Sequence, residues 1–121
     1  MKTSISMPIE VVIVAVPETA GSALYGMLDV LLSAGNIWQT LVRTDSADTL
    51  FRVRIISPTG EPFTCGHGIP VRPDLSIDED PEAQIVILPE LWLGPDQHLR
   101  GRYPELMDWI RRQHMRGASI Y

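Results

Sequence analysis

The hydrophobic pattern changes period once within residues 9–35, IEVVIVAVPETAGSALYGMLDVLLSAG, and that change predicts two elements. From Ile9 to Val16 nearly every position is apolar, most are β-branched, and only Glu10 interrupts the run. An unbroken run of this kind suits a strand covered on both faces, as in a parallel sheet. From Ser22 onward the spacing becomes helical: Leu24, Met27, Leu28 and Leu31 fall at i, i+3, i+4 and i+7 and share one face. Gly35, with Asn36 behind it, is placed to end that helix in a left-handed conformation. A strand running straight into a helix is the first half of a βαβ unit. Ligands of such sheets collect at the carboxyl ends of the strands, so the loop at 17–21 is the first candidate wall of a site.

The rest of the chain repeats the alternation more weakly. Residues 1–8 read as a lead-in, and Thr44-Asp45-Ser46-Ala47-Asp48 as a surface loop. Phe51, Val53 and Ile55 alternate with Arg52 and Arg54, a strand signal closed by the turn Ser57-Pro58-Thr59-Gly60. Residues 62–73 hold closely spaced turn residues and two short apolar pieces, which predicts a small hairpin or irregular excursion. The acidic cluster Asp78-Glu79-Asp80-Pro81-Glu82 reads as a solvated connection with a short helical turn. Ile85-Val86-Ile87-Leu88 is a further buried strand, stopped by Pro89, and the loop at 89–101 carries Trp92.

A second helix follows with clear punctuation. Pro104 suits its first turn, where a missing N–H costs nothing. Glu105 and Asp108 complement the positive end of the dipole, and Arg111, Arg112, His114 and Arg116 the negative end. Tyr103, Leu106, Met107, Ile110 and His114 form its apolar stripe, and Gly117 ends it. Ala118-Ser119-Ile120-Tyr121 then opens a fourth strand. Strands near 9–16, 51–57, 85–88 and 118–121 with helices near 22–38 and 103–116 define an α/β, three-layer sandwich with a mostly parallel sheet. The last strand lacks a helix to cover its second face, so residues 1–121 are expected to be a single partial domain, incomplete at the C-terminus.

Composition narrows the function classes. The 121 residues suffice for one domain with a modest core, and 45% hydrophobic with 21% charged residues is ordinary globular composition. No apolar run reaches membrane-span length, and the start carries no signal-peptide core, so no membrane partner and a cytoplasmic location are expected. Cys65 is the single cysteine, which excludes an internal disulfide framework. A net charge of −5 argues against this chain gripping a nucleic-acid backbone by itself.

Four stretches, PETAGSALYGMLDVLLSAG, FRVRIISPTGEP, IVILPELWLGPD and RYPELMDWIRRQHMRGASIY, resemble the ThiJ/PfpI superfamily over about residues 10–121. The resemblance implies a flavodoxin-like, class I glutamine-amidotransferase-like sandwich. It is strongest to the branch that forms the N-terminal sensor domain of AraC-type transcription regulators. In the family, a strand matching residues 118–121 leads into a turn carrying a nucleophilic cysteine, and this sequence ends before that turn. Cys65 lies instead in a Thr-Cys-Gly-His-Gly excursion, and Ala23 stands where the family's enzymes carry an acid. Both departures put hydrolase or hydratase chemistry in doubt and agree with a non-catalytic regulatory role, sensing a ligand or mediating dimerisation. The implied partners are a small-molecule effector, a second copy or another polypeptide completing the sheet, and DNA only through a module absent from this chain. The alternatives are a fragment of a cysteine-dependent enzyme of the same superfamily, or an interaction fragment.

The candidate ligand contacts lie at the strand ends. Glu18, beside Thr19 and Ser22, either faces the crevice or accepts backbone N–H groups at the start of the helix. Glu90, Leu91 and Trp92 follow the third strand at the same end, and Trp92 either roofs a pocket or packs, beneath the loop or at a dimer contact. Asp29 reads as a solvated rim residue. Cys65 and His67 stand two apart with no second ligand pair, so no metal and no cofactor are expected.

Overall fold

The apolar run becomes the middle strand of a five-stranded parallel sheet. A computed structural model describes residues 7–34 and 50–121. In chain order the elements are β1 (Ile9–Val14), α1 (Gly21–Ser33), β2 (Phe51–Ser57), β3 (Phe63–Cys65), β4 (Ile69–Val71), β5 (Leu75–Ser76), β6 (Ile85–Ile87), α2 (Pro104–Met115) and β7 (Ser119–Ile120). The strand order is β5-β2-β1-β6-β7, and every neighbouring pair is parallel. β1 pairs with β2 from Ile9 opposite Phe51 to Val14 opposite Ile56, and with β6 from Val11 opposite Ile85.

Alternation along β1 builds two cores. Val12, Val14 and Val16 pack with Ile56, Val86, Leu106 and Trp109 beneath α2. Ile13 and Ala15 pack with Ile55, Leu24, Cys65 and Val71 beneath α1 and the β3–β4 hairpin. Leu24 and Ile110 therefore lie over opposite faces, as a three-layer sandwich requires. The expected fold class is the one observed. The interruption at Glu10 is also explained, since its carboxylate meets Arg52 and Arg54 of β2 at 3.3 and 3.4 Å.

The helices depart from expectation in detail. On α1 only Gly21 and Leu24 are buried, Leu28 and Leu31 are half-buried, and Met27 is 40% exposed. At 3.6 residues per turn, Met27 lies about 60° to one side of Leu24, beyond the strip the sheet covers. Asp29 is exposed, as its offset predicts. Gly35 and the end of the helix expected over 22–38 lie outside the described residues. On α2 the buried residues are Leu106, Trp109 and Gln113, whereas His114 is exposed. The stripe is rotated toward Trp109 because its indole N–H reaches the Pro81 carbonyl at 3.1 Å. At the far end, Gly117 (φ 98°) lets its own N–H reach the His114 carbonyl and that of Ala118 reach the Gln113 carbonyl, both at 3.0 Å. This double closure turns the chain directly into β7.

The hairpin foreseen at 62–73 is present as β3 and β4, antiparallel, with Phe63 opposite Val71 and Cys65 opposite Ile69. The acidic cluster folds as a 3₁₀ turn at Ile77–Glu79, closed by reciprocal bonds between Ser76 and Glu79. Asp80 and Glu82 then face Arg112 of α2 and Arg116 just beyond it. β5 escaped the sequence pattern altogether, because two residues carry no period.

Candidate functional site

Three loops meet beyond the carboxyl end of β1. They follow β1 (17–20), join β3 to β4 (66–68) and follow β6 (88–92). Backbone bonds lace them together: Ala20 N–H to the Glu90 carbonyl at 2.8 Å, Trp92 N–H to the Glu18 carbonyl at 2.6 Å, and Gly66 N–H to the Thr19 carbonyl at 3.1 Å. Thr19 is fully buried, and its hydroxyl accepts the Val16 N–H at 2.9 Å. The sequence supports this geometry at Gly66. A Cβ there would stand 2.9 Å from Cδ1 of Trp92, so only glycine lets the indole settle against the hairpin tip. Trp92 meets the His67 ring edge-on, 5.4 Å between centroids, and remains 57% exposed. It packs against the hairpin tip.

Glu18 does not cap α1. The N-cap position is Ala20, without a side-chain cap, and the first turn of the helix carries no acid. The carboxylate turns the other way. Arg102 donates to its Oε1 at 2.8 Å, and the Tyr103 hydroxyl donates to Oε2 at 2.7 Å and Oε1 at 3.0 Å. Glu18 is 14% exposed in this clasp. Burial, then the hydrogen bond to Glu18 and its negative charge, push the Tyr103 phenol up to about 12, with Arg102 opposing. Tyr103 holds a left-handed backbone (φ 54°, ψ 51°) at the cap of α2. That conformation costs a non-glycine residue about 1–2 kcal/mol. The Glu18 clasp offsets this cost and fixes the start of the helix.

Behind the clasp lies a small, partly open cavity of about 40 Å³, with a lining almost entirely of carbon. Val14, Val16, Leu88, Leu91, Leu106 and Met107 supply most of its wall, and Tyr103 and Leu99 close it. Of the residues singled out from sequence, Glu18, Leu91 and Trp92 thus share one junction. Ser22 and Glu90 sit at its margin with exposed side chains, and Glu90 contributes only its carbonyl. Arg102, Tyr103, Gly66 and His67 were not foreseen as members. The signals present were the Gly-His-Gly tip and a tyrosine placed directly before a proline.

The positions relevant to catalysis are equally definite. Cys65 is buried at the end of β3, within the core under α1, and Ala23 is half-buried in the first turn of α1. Among the described residues, no three His, Cys, Asp or Glu side chains gather as a metal site. No helix among them is long and apolar enough to cross a membrane.

No protein-family model and no curated protein matches this chain. Solved structures do. A protein described as a transcriptional regulator from Vibrio parahaemolyticus superposes on 94% of the chain with TM-score 0.69 and 23% identity. An AraC family transcriptional regulator from Pseudomonas putida matches 93% with TM-score 0.65 and 19% identity. A DJ-1 superfamily protein from Agrobacterium tumefaciens matches 93% with TM-score 0.59 and 16% identity. The chain spans 55%, 62% and 51% of those three structures, respectively. Its fold is therefore the DJ-1/ThiJ sandwich that the sequence motifs resembled, a fold used by AraC-type regulators.

Proposed function

We propose that residues 1–121 form the front part of a non-catalytic sensor domain of an AraC-type transcription regulator. The domain acts in the cytoplasm, responds to a small-molecule effector and self-associates, and DNA is read by a separate module of the same protein. The observation that carries this reading is the Glu18 clasp. The acidic side chain at the end of the central strand is spent on Arg102 and Tyr103, which join the crevice loop to the start of α2. A link of this kind passes a change at the strand ends to a helix, which suits sensing better than acid–base chemistry. The buried position of Cys65 and the alanine at 23 support the same reading.

The test uses the full gene product with a reporter driven by its own promoter region. Effector-dependent transcription is expected, with Glu18→Gln uncoupling the response from effector while DNA binding persists. A full-length protein that lacks a DNA-binding module and hydrolyses or hydrates a substrate through a cysteine beyond Tyr121 would replace this reading with the enzymatic one.

A further inference from the structure

We propose that the cavity behind the Glu18 clasp and the cleft beside it form one site for a short aliphatic carboxylate. The tail enters the cavity, and the carboxylate rests against Arg100 and His98. This deepens the sensing role proposed above and takes its biological meaning from it.

The cavity holds no competing polar demand. The Thr19 hydroxyl is committed to the Val16 N–H, and the Tyr103 hydroxyl to Glu18. A hollow lined almost entirely by carbon favours apolar guests. Its volume, about 40 Å³, is roughly a quarter of the ~150 Å³ that accommodates benzene, so it receives one or two carbons. Leu99 is the partition, since it lines both this cavity and an open cleft of about 580 Å³. That cleft also presents Gln97, His98 and Arg100. An apolar chamber sized for a chain end, sharing Leu99 with a cleft lined by Arg100 and His98, matches a carboxylate with a short alkyl tail. The chamber lies near the surface. Leu93, Trp92 and Leu88 are 38–57% exposed, and Gly101 holds φ 80° just before Tyr103.

The experiment is a methyl NMR titration of the full gene product, labelled at leucine and methionine methyl groups. The probes are acetate, propionate, butyrate and pentanoate, with n-butanol as the uncharged control. Saturable shifts at Leu91, Leu99, Leu106 and Met107 are expected. Affinity should rise about fourfold for each of the first one or two carbons that enter the chamber, then flatten. Arg100→Gln should bring butyrate down to the affinity of butanol. Leu99→Phe, or Met107→Phe from the opposite wall, should abolish the dependence on tail length. Shifts that never saturate, affinity independent of tail length, or a butyrate preference that survives Arg100→Gln would overturn the proposal. Binding is read without transcription, so the two failures separate. A reporter that answers some effector while no carboxylate binds sinks this site alone. Carboxylate binding beside a silent reporter sinks the sensing role alone.

Discussion

At the scale of single residues, Tyr103 concentrates the chemistry of the strand ends. Its hydroxyl satisfies Glu18, its backbone occupies a left-handed conformation, and its ring helps to close the cavity. Replacing it with phenylalanine keeps the ring and removes one hydrogen bond to a charged partner. Tyr103→Phe is expected to destabilise the chain by about 1.5 kcal/mol at pH 8. The pH dependence has a definite sign. The phenol ionises near 10 when unfolded and near 12 when folded, so its contribution to stability is complete below pH 10. It is lost as pH rises from about 10 to about 12. Urea unfolding at intervals from pH 8 to 12 should therefore show the gap between parent and Tyr103→Phe closing over that window. A constant gap would mean that the clasp does not hold the proton. Gly66 makes a second residue-scale case. Gly66→Ala pushes a methyl to within 2.9 Å of the Trp92 ring, and the indole is expected to leave the hairpin tip. The readout is a Trp92 emission shifted to the red, resolved against variants in which Trp38 and Trp109 are phenylalanine.

At the scale of elements, local pattern and distant contact divide the work. β1 was legible because burial on both faces leaves an unbroken apolar run, and α2 because Pro104 and Gly117 mark its ends chemically. Met27 and His114 were misplaced, since a repeat of three and four residues gives a face but not how wide a strip the sheet covers. Glu18 could be singled out by its place after β1, yet its partners stand 84 and 85 positions away and no local spacing reveals them. The same reasoning exposes a residue that local rules disfavour. Gly26 lies in the middle of α1, and a Cβ there would meet nothing within 4 Å. Gly26→Ala should stabilise the isolated chain by about 1 kcal/mol through helix propensity, read as a higher urea midpoint at unchanged slope. A loss of stability would show that another surface approaches the helix closely at that point.

At the scale of the whole molecule, β5 and β7 are the edges of the sheet among the described residues. Among the described residues β7 pairs only with β6, where the Ser119 and Tyr121 N–H groups reach the Gln84 and Val86 carbonyls and the Leu88 N–H reaches the Tyr121 carbonyl. Alternation then turns the N–H and C=O of Ile120 outward, and Leu88 and Tyr121 nearby are 42% and 72% exposed. An unpaired strand edge flanked by apolar side chains invites a further strand. The chain by itself is therefore expected to self-associate through β7, with sedimentation velocity showing a concentration-dependent rise in mass. Ile120→Pro removes the outward donor while leaving the bonds made by Ser119 and Tyr121 to β6, and it should shift the association to higher concentration. Val30→Glu, which charges a side chain 67% exposed on α1, serves as the control for association through the helix face. If Val30→Glu dissolves the assemblies and Ile120→Pro does not, the helix rather than the sheet edge carries the contact, and completion of the sheet by a second strand loses its physical basis.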